Sequence, residues 1–124
     1  MKALLAMALG AALLSGAAHA DCTYPPAPTK LPDGASATLE EMVAGQKTVK
    51  EYDKSVKEYV DCIDKEVDEK ITKAGDKLKP EQKADMQKVE AQKHNAAIDQ
   101  LQSVADRFNE QVKVFKTKNA DKKG

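Results

Sequence analysis

The sequence predicts an all-α fold: an antiparallel helical hairpin of two long helices, with a proline-rich extended N-terminal segment packed back on helix 1. Three observations support this class. Apolar residues recur at steps of three and four along two stretches of similar length, which is the period of an amphipathic helix. A glycine and a proline separate the two stretches. Charged residues make up 32% and aromatic residues 4% of the 124-residue chain, a composition typical of long solvated helices.

Residues 1–20 have the pattern of a signal peptide. A positive start at Lys2 precedes an apolar run over residues 3–14, and Ala18-His19-Ala20 is a small-x-small cleavage site. A helix over this run would be about 18 Å long, which is shorter than the roughly 30 Å hydrocarbon core of a bilayer. We therefore expect cleavage near Ala20–Asp21, a periplasmic or secreted protein, and no transmembrane segment in the mature chain.

Residues 21–37 are predicted to be extended. Four of the five prolines of the chain lie in this segment, and proline disfavours a helix because it lacks the backbone donor and clashes with the preceding turn. Asp33-Gly34 is a turn signal close to the end of the segment. The prolines are Pro25, Pro26, Pro28 and Pro32.

Cys22 and Cys62 are the only two cysteines, and in an exported chain they favour a disulfide. The chain from Cys22 to Thr38 reaches up to about 50 Å when extended, which exceeds the about 36 Å from Thr38 to Cys62 along helix 1. Two free thiols, or a dimer cross-linked through them, remain as alternatives. Lipidation of Cys22 is disfavoured, since lipoprotein signals have a small residue where Asp21 stands and usually leucine where His19 stands.

Helix 1 is predicted over residues 39–74. Thr38 and Glu41 have the spacing of a capping box at its start, and Gly75 suits its C-terminal cap. The apolar stripe repeats every 11 residues, and this period keeps the stripe facing one way along a nearly straight helix. The stripe consists of Val49, Tyr52, Val56, Val60, Ile63, Val67 and Ile71.

Helix 2 is predicted over residues 80–117, with Pro80 in its first turn, where a missing N–H costs nothing. The helical hairpin then covers residues 38–118, and residues 119–124 form a disordered tail. The apolar stripe of helix 2 consists of Ala97, Leu101, Val104, Phe108, Val112 and Phe115.

Each stripe is narrow, so the two helices form a seam rather than a core, and long helices of this kind need further packing. The N-terminal segment could supply that packing by folding back. A homodimer could also supply it, by covering aromatic side chains that the hairpin alone leaves half exposed. These side chains are Tyr52, Tyr59, Phe108 and Phe115.

No residue pattern predicts catalysis, so we expect no enzymatic activity, no catalytic residues and no cofactor. His94 is the only histidine of the mature chain, and Glu90 lies four residues before it on the same helix face. Two ligands do not make a zinc site, so an exposed helix histidine is the preferred interpretation. The 20 Lys and Arg residues balance the 20 Asp and Glu residues, and no nucleic-acid partner is expected from this balance.

Short motifs are spread over nearly the whole mature chain. They are LPDG at residues 31–34, EEM at 40–42, VKxY at 49–52, YVxC at 59–62, QKHNAA at 92–97 and RFNEQ at 107–111. Together they resemble a group of small exported proteobacterial proteins of uncharacterised function. The resemblance implies export and an all-helical fold, and it implies no activity because none is assigned to that group.

Residues 78–82 (LKPEQ) partly resemble the Leu-Thr-x-x-Gln motif of small helical periplasmic stress chaperones. The sequence departs from that motif at Lys79, where the family has threonine, and it carries one copy where the family usually carries two. The first hypothesis for function is therefore a non-enzymatic helical interaction or structural protein of the bacterial cell envelope, with an unknown protein partner. The alternative is a small periplasmic holdase-type chaperone.

Overall fold

The structure, a computed structural model, describes residues 22–120 and residue 122. It contains helix α1 (Leu39–Ala74), a 3-10 turn (Gly75–Lys77) and helix α2 (Pro80–Ala120). Gly45 lies beside Phe108, and Asp64 lies beside Glu90, so the two helices run antiparallel. The predicted all-α hairpin is confirmed. The predicted signal peptide lies outside the described residues. Within the described residues, neither helix is long and apolar enough to cross a membrane.

Both ends of α1 agree with the boundaries predicted from the sequence. The Thr38 hydroxyl accepts a hydrogen bond from the Glu41 N–H (3.2 Å), and the Glu41 carboxylate accepts one from the Thr38 N–H (2.7 Å). This capping box satisfies two backbone donors that have no partner within the helix. At the other end Gly75 has φ 48°, and its N–H donates to the Ile71 carbonyl. Glycine reaches this φ without steric cost.

Helix α2 begins at Pro80 as predicted and ends later than predicted. It continues to Ala120, so the predicted tail 119–124 is wrong for its first two residues. Two contacts hold this last turn: the Asn119 amide donates to the Phe115 carbonyl (2.8 Å), and the Lys118 ammonium donates to the Ala35 carbonyl. Ala35 belongs to the folded-back N-terminal segment. The apolar pattern of helix 2 alone therefore gives no signal of this contact.

The core lies in one half of the hairpin. No residue from 64 to 96 is buried. We call residues 39–63 of α1 with residues 97–120 of α2 the proximal half, and residues 64–96 the distal half. Val56 and Val104, both from the predicted stripes, are fully buried at the centre of the proximal half. The other buried apolar residues are Met42, Tyr52, Tyr59, Val60, Ile63, Ala97 and Phe108.

Residues 22–37, here called the N-terminal segment, form a third layer on the proximal half. The segment is extended and runs antiparallel to α1, from Cys22 beside Cys62 to Pro32 beside Gly45. It ends in a turn in which the Asp33 carbonyl accepts hydrogen bonds from the N–H groups of two residues of that turn. The predicted packing of this segment on helix 1 is confirmed, and the segment also contacts α2.

Candidate functional site

The N-terminal segment lies in a groove between α1 and α2, which we call the front groove. A disulfide joins Cys22 to Cys62, with 5.7 Å between the two Cα atoms, and fixes the start of the segment at the boundary of the proximal half. The structure thus brings together the two cysteines that the sequence predicted to pair. Within the described residues neither cysteine is free.

Aromatic side chains follow the disulfide within the groove. The Tyr24 ring meets the Tyr59 ring edge to face, with 5.1 Å between ring centroids, a favoured arrangement of aromatic pairs. Tyr52 is buried about two turns further along this face, and burial raises the pKa of its hydroxyl, with the neighbouring Tyr24 raising it further. The segment therefore covers aromatic surface of α1 that the two helices alone leave open.

Two glycines allow the segment to approach both helices closely. A Cβ atom at Gly45 would lie 2.6 Å from Pro32 Cγ and 2.9 Å from Phe108 Cε2. A Cβ atom at Gly34 would overlap the backbone of Gln111 in α2, and the Gly34 N–H donates to the Gln111 side chain (2.9 Å). Sequence reasoning missed these contacts with α2, although a glycine within the predicted helix 1 was a signal of close packing there.

The front groove continues into the distal half, where the structure describes nothing that covers it. This distal groove is a cleft of about 280 Å³. Its floor is apolar, and Val89 at one edge remains 47% exposed. The floor is formed by Ile63, Val67 and Met86, with Val89 at one edge, and the rim by Glu66, Lys70, Asp85, Glu90 and Lys93.

Helical spacing places the distal groove on the same face as the disulfide. Glu66 and Lys70 follow Cys62 at four and eight residues, and residues four apart lie one above the other on one face of a helix. The distal groove is therefore the direct continuation of the channel that the N-terminal segment fills. Cys22 marks the point where the filled part ends and the open part begins.

The rim of the distal groove is charged and contains both signs. Lys70 forms an ion pair with Glu66 along α1. Across the two helices, a hydrogen bond between the carboxyl groups of Glu90 and Asp64 raises the pKa of Glu90. Desolvation and the negative charges of Asp64 and Asp68 raise it further. A rim of this kind keeps an apolar cleft hydrated at its edges while its floor stays available for apolar side chains.

The structure also places the other residues that the sequence singled out. Glu90 lies against Asp64 of α1, and the nearby His94 lowers the Glu90 pKa, whereas the carboxylates of Asp64 and Asp68 raise it. Across the described residues, no group of three or more His, Cys, Asp and Glu side chains is arranged to hold a metal ion. Gln82, the last residue of the chaperone-like motif, accepts a hydrogen bond from the Lys79 N–H (3.0 Å). Gln82 thus has a structural role at the start of α2.

The aromatic residues that motivated a homodimer are covered within one chain. Tyr52, Tyr59 and Phe108 are buried and Phe115 is half-buried. The N-terminal segment lies against this surface, where the Tyr24 ring contacts the Tyr59 ring and Gly34 lies against the backbone of Phe115. Most of this aromatic surface is therefore covered within one chain, and the homodimer stays a prediction.

Comparisons with known proteins assign neither a family nor an activity. No family model matches the chain. No curated protein and no solved structure matches it either. The candidate site is therefore identified from the geometry of the chain alone. Its main feature is a groove that the N-terminal segment fills in the proximal half and that is open in the distal half.

Proposed function

We propose that this protein is a non-enzymatic interaction protein of the bacterial cell envelope, which binds an apolar segment of another polypeptide in the distal groove. One observation carries this proposal. A single groove runs along the hairpin, a proline-rich peptide segment fills its proximal half, and its distal half has an apolar floor and no occupant among the described residues.

The filled half indicates which kind of ligand suits the groove. There the groove accepts an extended peptide through an aromatic contact, a proline packed on Gly45 and a buried Pro25. The open half offers branched and flexible apolar side chains, including Met86, and methionine adapts readily to different partner shapes. Apolar contacts on the floor would supply affinity, and the charged rim would select orientation.

Export of the protein is part of this proposal. The signal-peptide pattern of residues 1–20, the disulfide and the resemblance to a group of exported proteins all favour the periplasm or the extracellular space. A Cys22–Cys62 bond is expected to persist there, since these compartments are oxidising. After cell fractionation the protein should be found in the periplasm, and N-terminal sequencing should give Asp21 as its first residue. A protein found only in the cytoplasm would contradict export, and an intact Met1 on the periplasmic protein would contradict cleavage.

Photocrosslinking in living cells tests the proposed binding site. A photoreactive amino acid at Val89 should give a discrete adduct, because this side chain lies on the edge of the distal groove. The matched control places the same amino acid at Lys88, which is exposed and does not line the groove. Equal adducts at both positions, or none at either, would contradict the proposal.

A holdase-type chaperone is the second candidate, favoured by the exposure of Val89 above a floor of apolar side chains. A holdase binds many unfolded chains and suppresses their aggregation at near-stoichiometric ratios. In a light-scattering assay with an unfolded client, Val89→Asp should then weaken suppression while Lys88→Asp has no effect. A protein that binds one specific partner should suppress aggregation in neither form.

A further inference from the structure

We propose that the Cys22–Cys62 disulfide is a redox latch. When a protein dithiol reduces it, residues 22–31 leave the front groove and open its proximal half to a partner peptide. This inference rests on the proposed function, since it names the regulation of the same groove. We call residues 22–31 the strap and residues 32–37 the hinge. In the latched form a partner reaches only the distal groove, whereas in the reduced form the open groove continues past the disulfide.

The disulfide holds the end of the strap that is furthest from α1 in the sequence. It joins Cys22 to Cys62 across 40 residues, and the other end of the strap continues through the hinge into α1. Three of the ten strap residues are prolines, which have no N–H to donate to a helix. The position of the first strap residues therefore depends on the disulfide more than on backbone hydrogen bonds.

The hinge is held by hydrogen bonds of its own. The Gly34 N–H donates to the Gln111 side chain (2.9 Å), and the Lys118 ammonium donates to the Ala35 carbonyl. The Asp33 carboxylate accepts a hydrogen bond from the Ala35 N–H (2.9 Å). None of these three bonds involves the strap or the disulfide, so the hinge is expected to stay on α2 when the strap is released.

Docking of the strap leaves a buried polar group unsatisfied. Tyr52 is 4% exposed, and its hydroxyl lies beside Tyr24 of the strap but makes no well-formed hydrogen bond. A buried hydroxyl without a partner costs free energy that contact with water returns. Release of Tyr24 would let water reach this hydroxyl, so the docked state depends on the disulfide to offset the cost.

The cysteine pair lies within reach of a reductant. Cys22 and Cys62 are only half-buried, and they lie where the open distal groove begins. Compartments that receive exported proteins are oxidising, so the latched form is the resting state. Opening it requires direct contact with a protein dithiol, which the distal groove leaves room to approach.

The reduction is an ordinary thiol–disulfide exchange. A thiolate of the dithiol attacks one sulfur of the pair, the S–S bond breaks, and the other sulfur leaves as a thiolate that takes up a proton. The second thiol of the dithiol then displaces the mixed disulfide. Two electrons and two protons pass to the cysteine pair, and the dithiol becomes a disulfide.

Release of the strap nearly doubles the open length of α1. The stretch from Tyr52 to Cys62 is about 15 Å long, and the stretch from Cys62 to Ala74, which is already open, is about 18 Å long. Release also exposes the Tyr59 ring, which the Tyr24 ring covers in the latched form with 5.1 Å between ring centroids. A partner peptide would take the place of Tyr24 on this ring.

Tyrosine fluorescence measures the release in the purified mature protein. The chain has no tryptophan, and of its three tyrosines Tyr24 is 45% exposed, whereas Tyr52 and Tyr59 are buried. On reduction with tris(2-carboxyethyl)phosphine, the acrylamide quenching constant should roughly double. The helical circular dichroism should be retained at temperatures well below the melting temperature. Cys22→Ser/Cys62→Ser is the control and should give the high constant with or without the reductant.

Photocrosslinking in living cells tests whether a partner uses the released groove. A photoreactive amino acid at Tyr59 should give an adduct with another protein in Cys22→Ser/Cys62→Ser and none in the latched wild type. The same amino acid at Val89 should give an adduct with that partner in both forms. Glu58, the exposed neighbour of Tyr59, is the control position and should give no adduct in either form.

Three results would overturn the latch. The first is an unchanged quenching constant on reduction, since the strap would then stay docked without the disulfide. The second is a loss of helical circular dichroism on reduction, since the disulfide would then hold the whole fold rather than the strap. The third is a cysteine variant that gives an adduct at Val89 but none at Tyr59, which leaves the proposed function standing. If quenching rises with the helices intact but neither position gives an adduct, the latch opens and the proposed function is wrong.

Discussion

The proximal and distal halves of the hairpin are built from the same two helices, yet they differ in apolar content and in burial. The α1 stripe runs through both halves, whereas the α2 stripe from Ala97 to Phe115 lies entirely in the proximal half, and the distal part of α2 has only Met86 and Val89 as large apolar side chains. In the proximal half a third layer closes the seam, and Val56 and Val104 are fully buried. In the distal half no residue between 64 and 96 is buried. The comparison shows that the α1 stripe does not make a core where α2 offers few apolar side chains and no third layer is present, and that the 16-residue N-terminal segment completes a core in the proximal half.

Under the function proposed above, the same comparison separates the half that stabilises the chain from the half that would bind a partner. The proximal half has a disulfide, an aromatic pair and glycine-mediated close contacts, and it anchors the protein. The distal half keeps its apolar floor accessible, which is a property of surfaces that bind other chains. Elements with few buried contacts also open more readily, so the distal half is expected to open more readily than the proximal half.

The largest expected effect comes from removing the disulfide. The closed loop spans 40 residues, so its loss should cost about 4 kcal/mol on the loop-closure model. For a chain of this size this corresponds to a melting temperature lower by about 15–30 °C. Calorimetry of C22A/C62A and of the reduced wild type should agree, and hydrogen exchange should show the N-terminal segment loosening before the helices. An unchanged melting temperature would mean that the segment does not hold the proximal half together.

A second prediction concerns Gly45. In an exposed helix interior, Gly→Ala stabilises by about 1 kcal/mol, but here the new methyl group would overlap the Pro32 ring and the Phe108 ring. We expect Gly45→Ala to destabilise the protein by about 1–3 kcal/mol, as overpacked cores do, in urea unfolding. Thr48→Ala on the exposed face of the same helix is the control and should be neutral or slightly stabilising. A stabilising Gly45→Ala would show that the segment does not pack there.

A matched pair of valine substitutions compares how tightly the two halves are packed. Val56 is fully buried in the proximal half, whereas Val67 is only half-buried on the floor of the distal groove. We expect Val56→Ala to cost about 2 kcal/mol and Val67→Ala less than about 1 kcal/mol, because the second site is already partly hydrated. Chemical denaturation at a low protein concentration keeps association out of the comparison. Equal costs would show that the distal half is as well packed as the proximal half.

The smallest effect is electrostatic and belongs to the distal half. The folded-state pKa of Glu90 is raised above its usual 4.5, so the native state binds this proton more tightly than the unfolded state. The stability linked to protonated Glu90 is therefore present below about pH 4.5 and is lost as the pH rises through the raised pKa. Glu90→Gln should raise the melting temperature by about 1–3 °C at pH 7 and leave it unchanged at pH 4.

Glu69→Gln is the control for this pH dependence, since Glu69 is exposed and lies outside the groove. It should not produce a pH-dependent difference between variant and wild type. If Glu90→Gln lowers the melting temperature at pH 7, the shared proton between Glu90 and Asp64 is not what shifts the Glu90 pKa.

Local signals in the sequence were sufficient to predict much of the fold. The bounds of helix 1, its capping box at Thr38 and its glycine cap at Gly75 depend on neighbours within four residues, and all were predicted. The end of helix 2 was not predicted, because one of the two contacts that hold its last turn comes from Ala35, more than 80 residues away in the chain. The pairing of Cys22 with Cys62 was predictable because a chain with only two cysteines has a single intramolecular choice.

The sequence by itself determined the two helices, their apolar stripes and the extended character of the N-terminal segment, since these depend on periodicity, capping and proline geometry. The predicted pairing of Cys22 with Cys62 also indicated that the segment covers α1 between Thr38 and Cys62. Only the tertiary structure decided that the segment packs on α2 as well, where Gly34 lies against Gln111 and the Lys118 ammonium donates to the Ala35 carbonyl. A periodic stripe carries no information about what covers it, because an apolar side chain has the same spacing whether its partner is a second helix, a folded-back segment or another molecule.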